Sequence, residues 1–213
     1  MAEKTSEMIA LLGRMRKEMN GAVADAMFCY GKPYGLNYGV SLPTVRTIAR
    51  QVEQSNELAD YLFKQQVREL QLAAMHIALP EQFSTEQVER WGEGIINSEM
   101  AEEMAFALLR HLSFIDEVYQ AWARSENEFK VYSALLSAAK CKLSEKAQTL
   151  EPIHEIATRY PTSRPIAKGI VALLSEAYRS EEQKPIVKSL LESLEPSATA
   201  DYIKEEMEWR MEF

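Results

Sequence analysis

"QVRELQLAAMHIALP", residues 66–80, opens with charge, turns apolar on almost every side and ends at Pro80. Small and large apolar residues alternate through Leu70, Leu72, Ala73, Ala74, Met75 and Ile77. A helix apolar all round is a buried helix. Alternation of side-chain size lets helices pack closely on both flanks, as in a stack, although an ordinary core helix of a bundle has the same letters. Proline cannot donate the next backbone hydrogen bond, so the helix stops there.

Working outward, the rest of the chain has the same period. Met8, Leu11, Leu12, Met15 and Met19 recur at three and four, as do Leu42, Val45, Ile48, Ala49 and Val52. No sustained period-two run of β-branched residues argues for strand. Ser84 with Gln87, Ser125 with Glu128 and Ser180 with Gln183 have capping-box spacing. Ser98, Ser113, Ser144, Ser163 and Ser197 read as plain N-caps. Caps and stops together predict about twelve helices of about 10 to 18 residues on short links. No Gly/Ser-rich or Pro-rich linker divides them, so residues 1–213 read as one domain. We read the pattern as all-α: a solenoid of about six antiparallel helix pairs, each pair averaging roughly 35 residues.

Composition sets the bounds. Of 213 residues, 46% are hydrophobic, enough for a packed core. No apolar run reaches the roughly 18 residues a membrane span needs. Charges interrupt the apolar pattern of the first residues, so no signal peptide is expected. Cys29 and Cys141 cannot make a disulfide framework and suit a reducing cytoplasm. The three histidines, His76, His111 and His154, are scattered without zinc spacing, so no metal or other cofactor is expected.

The net charge is −8, unevenly spread. Residues 1–50 carry seven Lys/Arg against four Asp/Glu, and residues 51–110 carry four against eleven. A uniformly basic nucleic-acid binder is excluded. A protein with one basic face is allowed, because binding follows the local field.

That basic face is expected at "YGLNYGVSLPTVRTIAR", residues 34–50. Ser41 is an N-cap and Pro43 lies in the first turn of a helix over about 42–53. Val45, Ile48, Ala49 and Val52 make its buried stripe. Arg46 and Arg50, four apart, share the opposite face. Gly31, Gly35 and Gly39 permit positive φ and close backbone approach. Free amides at a helix start attract anions, so the stretch reads as a phosphate-contact site, with Tyr34 and Tyr38 placed for packing or stacking. Packing tyrosines and solvated arginines are the plainer reading of the same residues.

The stretch resembles the N-terminal signature of the AlkD-like DNA alkylation repair family through Tyr38, Gly39, Val40, Pro43 and Arg46. Residues 66–80 resemble that family's next inner helix through Arg68, Glu69, Gln71, Ala74 and Ile77. "SENEFKVYSALLSAAK" and "PIAKGIVALLSEAYR" take the places of two later helices. The resemblance implies a HEAT-like α-solenoid whose concave groove cradles duplex DNA. It further implies, in active members, excision of cationic alkylpurines using a Trp-x-x-x-Asp step, an Arg and a later Trp. Indole faces hold a cationic base, and a carboxylate stabilises the positive sugar as the glycosidic bond breaks.

By the same resemblance those positions fall here on Met100, Met104, Tyr132 and Ala172. A one-residue slip offers Glu103 as the carboxylate, with Glu99 one turn away. Trp91, Trp122 and Trp209 are expected to pack rather than replace the lost aromatics. The expectation is a DNA-binding member of the family, on duplex or damaged DNA, with its excision residues lost. Tyr34, Tyr38, Arg46, Arg50, Lys130, Arg164 and Lys168 are its expected DNA contacts. It is expected to be a cytoplasmic monomer with no membrane association. An active glycosylase using Glu103, or a scaffold holding a protein segment, are the alternatives. The acidic middle segment favours the scaffold.

Overall fold

The computed structural model describes residues 2–27 and 34–212. Cys29 and Gly31 lie outside the described residues. Two compact units follow one another, residues 1–112 and residues 113–213, where the sequence alone suggested one undivided domain.

In the first unit the helices are α1 (Ala2–Arg16), α2 (Gly21–Ala26), α3 (Leu42–Ala49), α4 (Asn56–Phe63), α5 (Arg68–Ile77), α6 (Thr85–Glu93) and α7 (Ser98–Glu103). α7 runs on into a π-helical turn, Met104–Leu108, and a 3₁₀ turn, Leu109–His111. In the second unit they are α8 (Ile115–Trp122), α9 (Glu128–Ala139), α10 (Ile153–Arg159), α11 (Arg164–Ala177), α12 (Lys184–Ser193) and α13 (Ala198–Glu212). Alternate helices stack side by side. α5 packs against both α3 and α7, and α11 against both α9 and α13. Among the described residues the only extended pairing is a single parallel bridge between Leu36 and Val67.

The α5 run behaves as its letters require. Leu70, Leu72, Ala73, Ala74, Met75 and Ile77 are all buried, and the helix stops at Ile77, ahead of Pro80. The capping box at Ser84 and Gln87 forms in full. Ser41 and Ser163 cap α3 and α11.

Several expected boundaries move. The helices run from 6 to 15 residues, shorter than anticipated, because π and 3₁₀ turns take up chain that period counting assigns to α-helix. α3 ends at Ala49, with Arg50 as its C-cap. Asn97 caps α7 one position before Ser98, and Asn127 caps α9 two positions after Ser125, each side-chain amide oxygen accepting from amides of the first turn. Phe114 rather than Ser113 precedes α8, and Ser144 lies inside a 3₁₀ turn. Gln183 precedes α12 and sends its side-chain amide to the Glu145 carbonyl instead of closing a box with Ser180.

Two of the three tryptophans pack as expected. Trp91 stacks on Phe63 with centroids 4.2 Å apart and meets Phe83 edge-on. Trp122 is buried beneath the Lys130 ammonium. Trp209 instead stands 64% exposed. It lies off the face of α13 that buries Thr199, Ala200, Ile203 and Met207.

Candidate functional site

The loop before α3 is built around its glycines. Gly39 has φ +67, and a Cβ there would sit 1.9 Å from the Asn20 carbonyl oxygen at the start of α2. Only a residue without Cβ takes that conformation at no steric cost. Gly35 brings the chain against Gln66, where the Leu36 amide donates to the Gln66 carbonyl at 2.9 Å and the Arg68 amide donates to Leu36 at 2.9 Å.

The close approach serves the protein itself. The amides of Tyr38 and Val40 donate to the carboxylate of Glu69, each at 3.2 Å. The Gly39 amide donates to Asn37, and the Thr44 amide to the Ser41 cap. The anion gathered by this amide-rich loop is therefore Glu69, fully buried on α5.

Its neighbour Arg68 is also fully buried. Nε and Nη2 donate to the two oxygens of Glu99 at 2.7 and 2.5 Å, and Nη1 donates to the Val40 carbonyl at 2.8 Å and to Glu69 at 3.1 Å. Tyr34 closes the cluster, donating to Glu99 at 2.8 Å and to Asn97 at 3.1 Å. Burial first, then the Glu99 charge, pushes its phenol far above the ordinary range, so it stays a donor. Asn97 meanwhile caps α7 through the Met100 amide.

A second cluster lies one turn along α7. Arg46 Nε and Nη2 donate to Glu103 at 2.9 and 2.6 Å, and His76 Nε2 bonds the same carboxylate. Burial alone would raise the Glu103 pKa. The His76 and Arg46 hydrogen bonds outweigh it and hold Glu103 at about 2. The π-helical turn begins at the next residue, and such turns often mark functional positions.

The expected site residues fall into distinct environments. Arg46 is committed to Glu103, although its side chain is 36% exposed. Arg50 is exposed and makes no ion pair among the described residues. Tyr38 is half-buried, with Arg16 donating to its hydroxyl at 2.6 Å. Burial takes Tyr34 and Lys130 away from solvent: Tyr34 is tied to Glu99, and Lys130 lies over Trp122. Arg164 lies 3.4 Å from the centre of the Tyr202 ring, and Lys168 is exposed. Met100 and Met104 are 0% exposed, Tyr132 is buried and Ala172 is half-buried.

Sequence reasoning missed the charged clusters of Arg68, Glu69, Asn97, Glu99 and His76. Their signal was present as charge at the edge of an otherwise apolar helix, and as two glutamates four apart on α7. Charge that is buried must be paired.

Side-by-side helix pairs of this kind define a HEAT-like repeat fold. The chain belongs to the DNA alkylation repair enzyme family, whose model matches residues 11–203. A solved structure described as "A new family of proteins related to the HEAT-like repeat DNA glycosylases with affinity for branched DNA structures" has the same fold. It superposes with a TM-score of 0.73 at 15% identity, over 96% of this chain and 95% of that one. No curated protein matches this chain. No described helix is long and apolar enough to cross a membrane.

Proposed function

We propose that this chain is a DNA-binding member of the alkylation repair family that does not excise alkylpurines. One observation carries the reading. Met100 and Met104, where the family resemblance places the indole and the carboxylate, are 0% exposed. The neighbouring carboxylate, Glu103, is 1% exposed and already bonded to Arg46 and His76. A thioether cannot stabilise an oxocarbenium-like sugar, and a carboxylate so neutralised has little field left to offer one. Loss of one such electrostatic contribution commonly slows a reaction on the order of a hundredfold.

What remains is binding. Family membership, and a relative of the same fold described as having affinity for branched DNA, support duplex or branched DNA as the partner. Exposed Arg50, Arg164 and Lys168, with half-buried Tyr38, are the contacts we assign to it. A monomer acting in the cytoplasm completes the proposal.

The test has two arms. Methylated duplex with protein in excess should release 3-methyladenine and 7-methylguanine at the spontaneous rate. Faster release that Glu103→Gln abolishes makes the protein a glycosylase with Glu103 as its carboxylate. Duplex and four-way-junction binding should be measurable and fall steeply as salt rises. Absence of any DNA binding leaves the protein-scaffold reading.

A further inference from the structure

The sequence pattern puts the phosphate contact of α3 on Arg46 and Arg50, and the structure gives Arg46 to Glu103. The next residue round the helix points about 100° away. There Thr47 and Gln51 turn toward the last turn of α1 and form an open groove of about 480 Å³ with Arg14, Lys17, Pro43 and Thr44. Resting on the DNA-binding reading, we propose that this groove, between the end of α1 and the α1-facing side of α3, is a contact site for the phosphodiester backbone of DNA.

Three observations support it. The first is charge. Lys17 lines the groove, is exposed and makes no ion pair among the described residues, and Arg50, one position from Gln51, is in the same state. Glu18 is the only carboxylate among the lining residues. The local sign is therefore positive in a chain of net charge −8, and it is local charge that steers a polyanion.

The second is preorganisation. Arg14 is not a loose surface arginine. Its Nη2 donates to the Ile48 carbonyl at 3.2 Å and to the Gln51 side chain, which fixes the guanidinium against the last turn of α3. A cation already held in place loses little rotamer freedom when a phosphate arrives.

The third is the neutrality of the floor. Thr47 spends its hydroxyl on the Pro43 carbonyl, and Thr44 shares one hydrogen bond with Ser41. Apart from Glu18, the residues that line the groove beside Arg14 and Lys17 are uncharged.

Lys17→Glu and Thr47→Glu test the site. Both residues are exposed, so both variants should melt with the unaltered protein. Lys188→Glu, an exposed position on α12, matches the charge change of Lys17→Glu elsewhere. Affinity for a duplex and for a four-way junction is measured across a salt series. Lys17→Glu and Thr47→Glu should each bind roughly tenfold more weakly at moderate salt, and Lys17→Glu should lose about one from the salt slope. Lys188→Glu should stay within about twofold of the unaltered protein. If the unaltered protein binds with a steep salt slope and both groove variants match it, the groove is not a contact site and the DNA-binding reading stands. If the unaltered protein binds neither DNA, both fall together.

Discussion

Glu99 and Glu103 stand one turn apart on α7, and each is gripped at two points by an arginine from a different helix: Glu99 by Arg68 of α5, and Glu103 by Arg46 of α3. Charge thus ties three stacked helices together across one face. Two-point guanidinium–carboxylate pairs are directional, so they fix which turn of α7 meets which turn of its neighbours.

The inner pair is the more sensitive. Arg68→Met removes the cation bonded to both Glu99 and Glu69 and leaves two carboxylates buried. Stability to urea should fall by about 3–5 kcal/mol. Arg68→Lys keeps the charge and loses the fork, and should recover only part of the loss. A midpoint for Arg68→Met equal to that of the unaltered protein would show that the cluster does not hold the loop before α3.

The outer pair reaches solvent, so its removal is milder. Glu103→Gln should cost about 1–3 kcal/mol, because the half-exposed Arg46 recovers some hydration. Adding Arg46→Met should cost less than the two single losses summed, as expected for residues in direct contact. Urea denaturation of the four proteins of the cycle gives the coupling.

Acid should find Glu103. Its folded pKa of about 2 lies below the ordinary 4.5. The stability it supplies is complete above pH 4.5 and is lost as pH falls from 4.5 toward 2. The maximum is on the order of 3 kcal/mol. Asp60, lowered to about 2 against burial by Lys64, Trp91 and Arg90, titrates in the same range. The difference between unaltered protein and Glu103→Gln, followed by urea midpoint from pH 6 down to 2.5, isolates the Glu103 share. Parallel curves would show that Glu103 gains nothing from its partners.

Two glycines should respond in opposite directions to the same substitution. Gly39→Ala forces a Cβ into the Asn20 carbonyl at positive φ and should destabilise by more than about 2 kcal/mol. Gly13→Ala, inside α1 with nothing near its Cβ position, should stabilise by about 0.5–1 kcal/mol. Thermal melts of the two variants suffice.

The helical character and several of the caps were legible from spacing alone, because Ser41, Ser84 with Gln87, Ser163 and Pro80 act within one turn of themselves. The site was less legible, because its partners are remote. Nothing near Arg46 announces that Glu103, 57 positions on, occupies its fork. Nothing near Gly39 announces that the anion beside it is Glu69. Past Glu103 the helix becomes π, which shifts the face of the residues that follow by about one from a regular count.

The loop at 34–40 also carries a consequence for the direction in which the chain is made. Synthesis runs from the N-terminus, yet every polar anchor of this loop on α5 and α7 is a residue made later. The Tyr38 and Val40 amides wait for Glu69, and the Tyr34 hydroxyl waits for Asn97 and Glu99. A nascent chain that ends short of Asn97 holds Arg68 with two of its four side-chain hydrogen bonds, those to Glu99, still missing. The Tyr34 end of the loop therefore gains its last polar anchors only after α7 has been made, long after the Arg16, Asn20 and Glu69 contacts of Tyr38 are available.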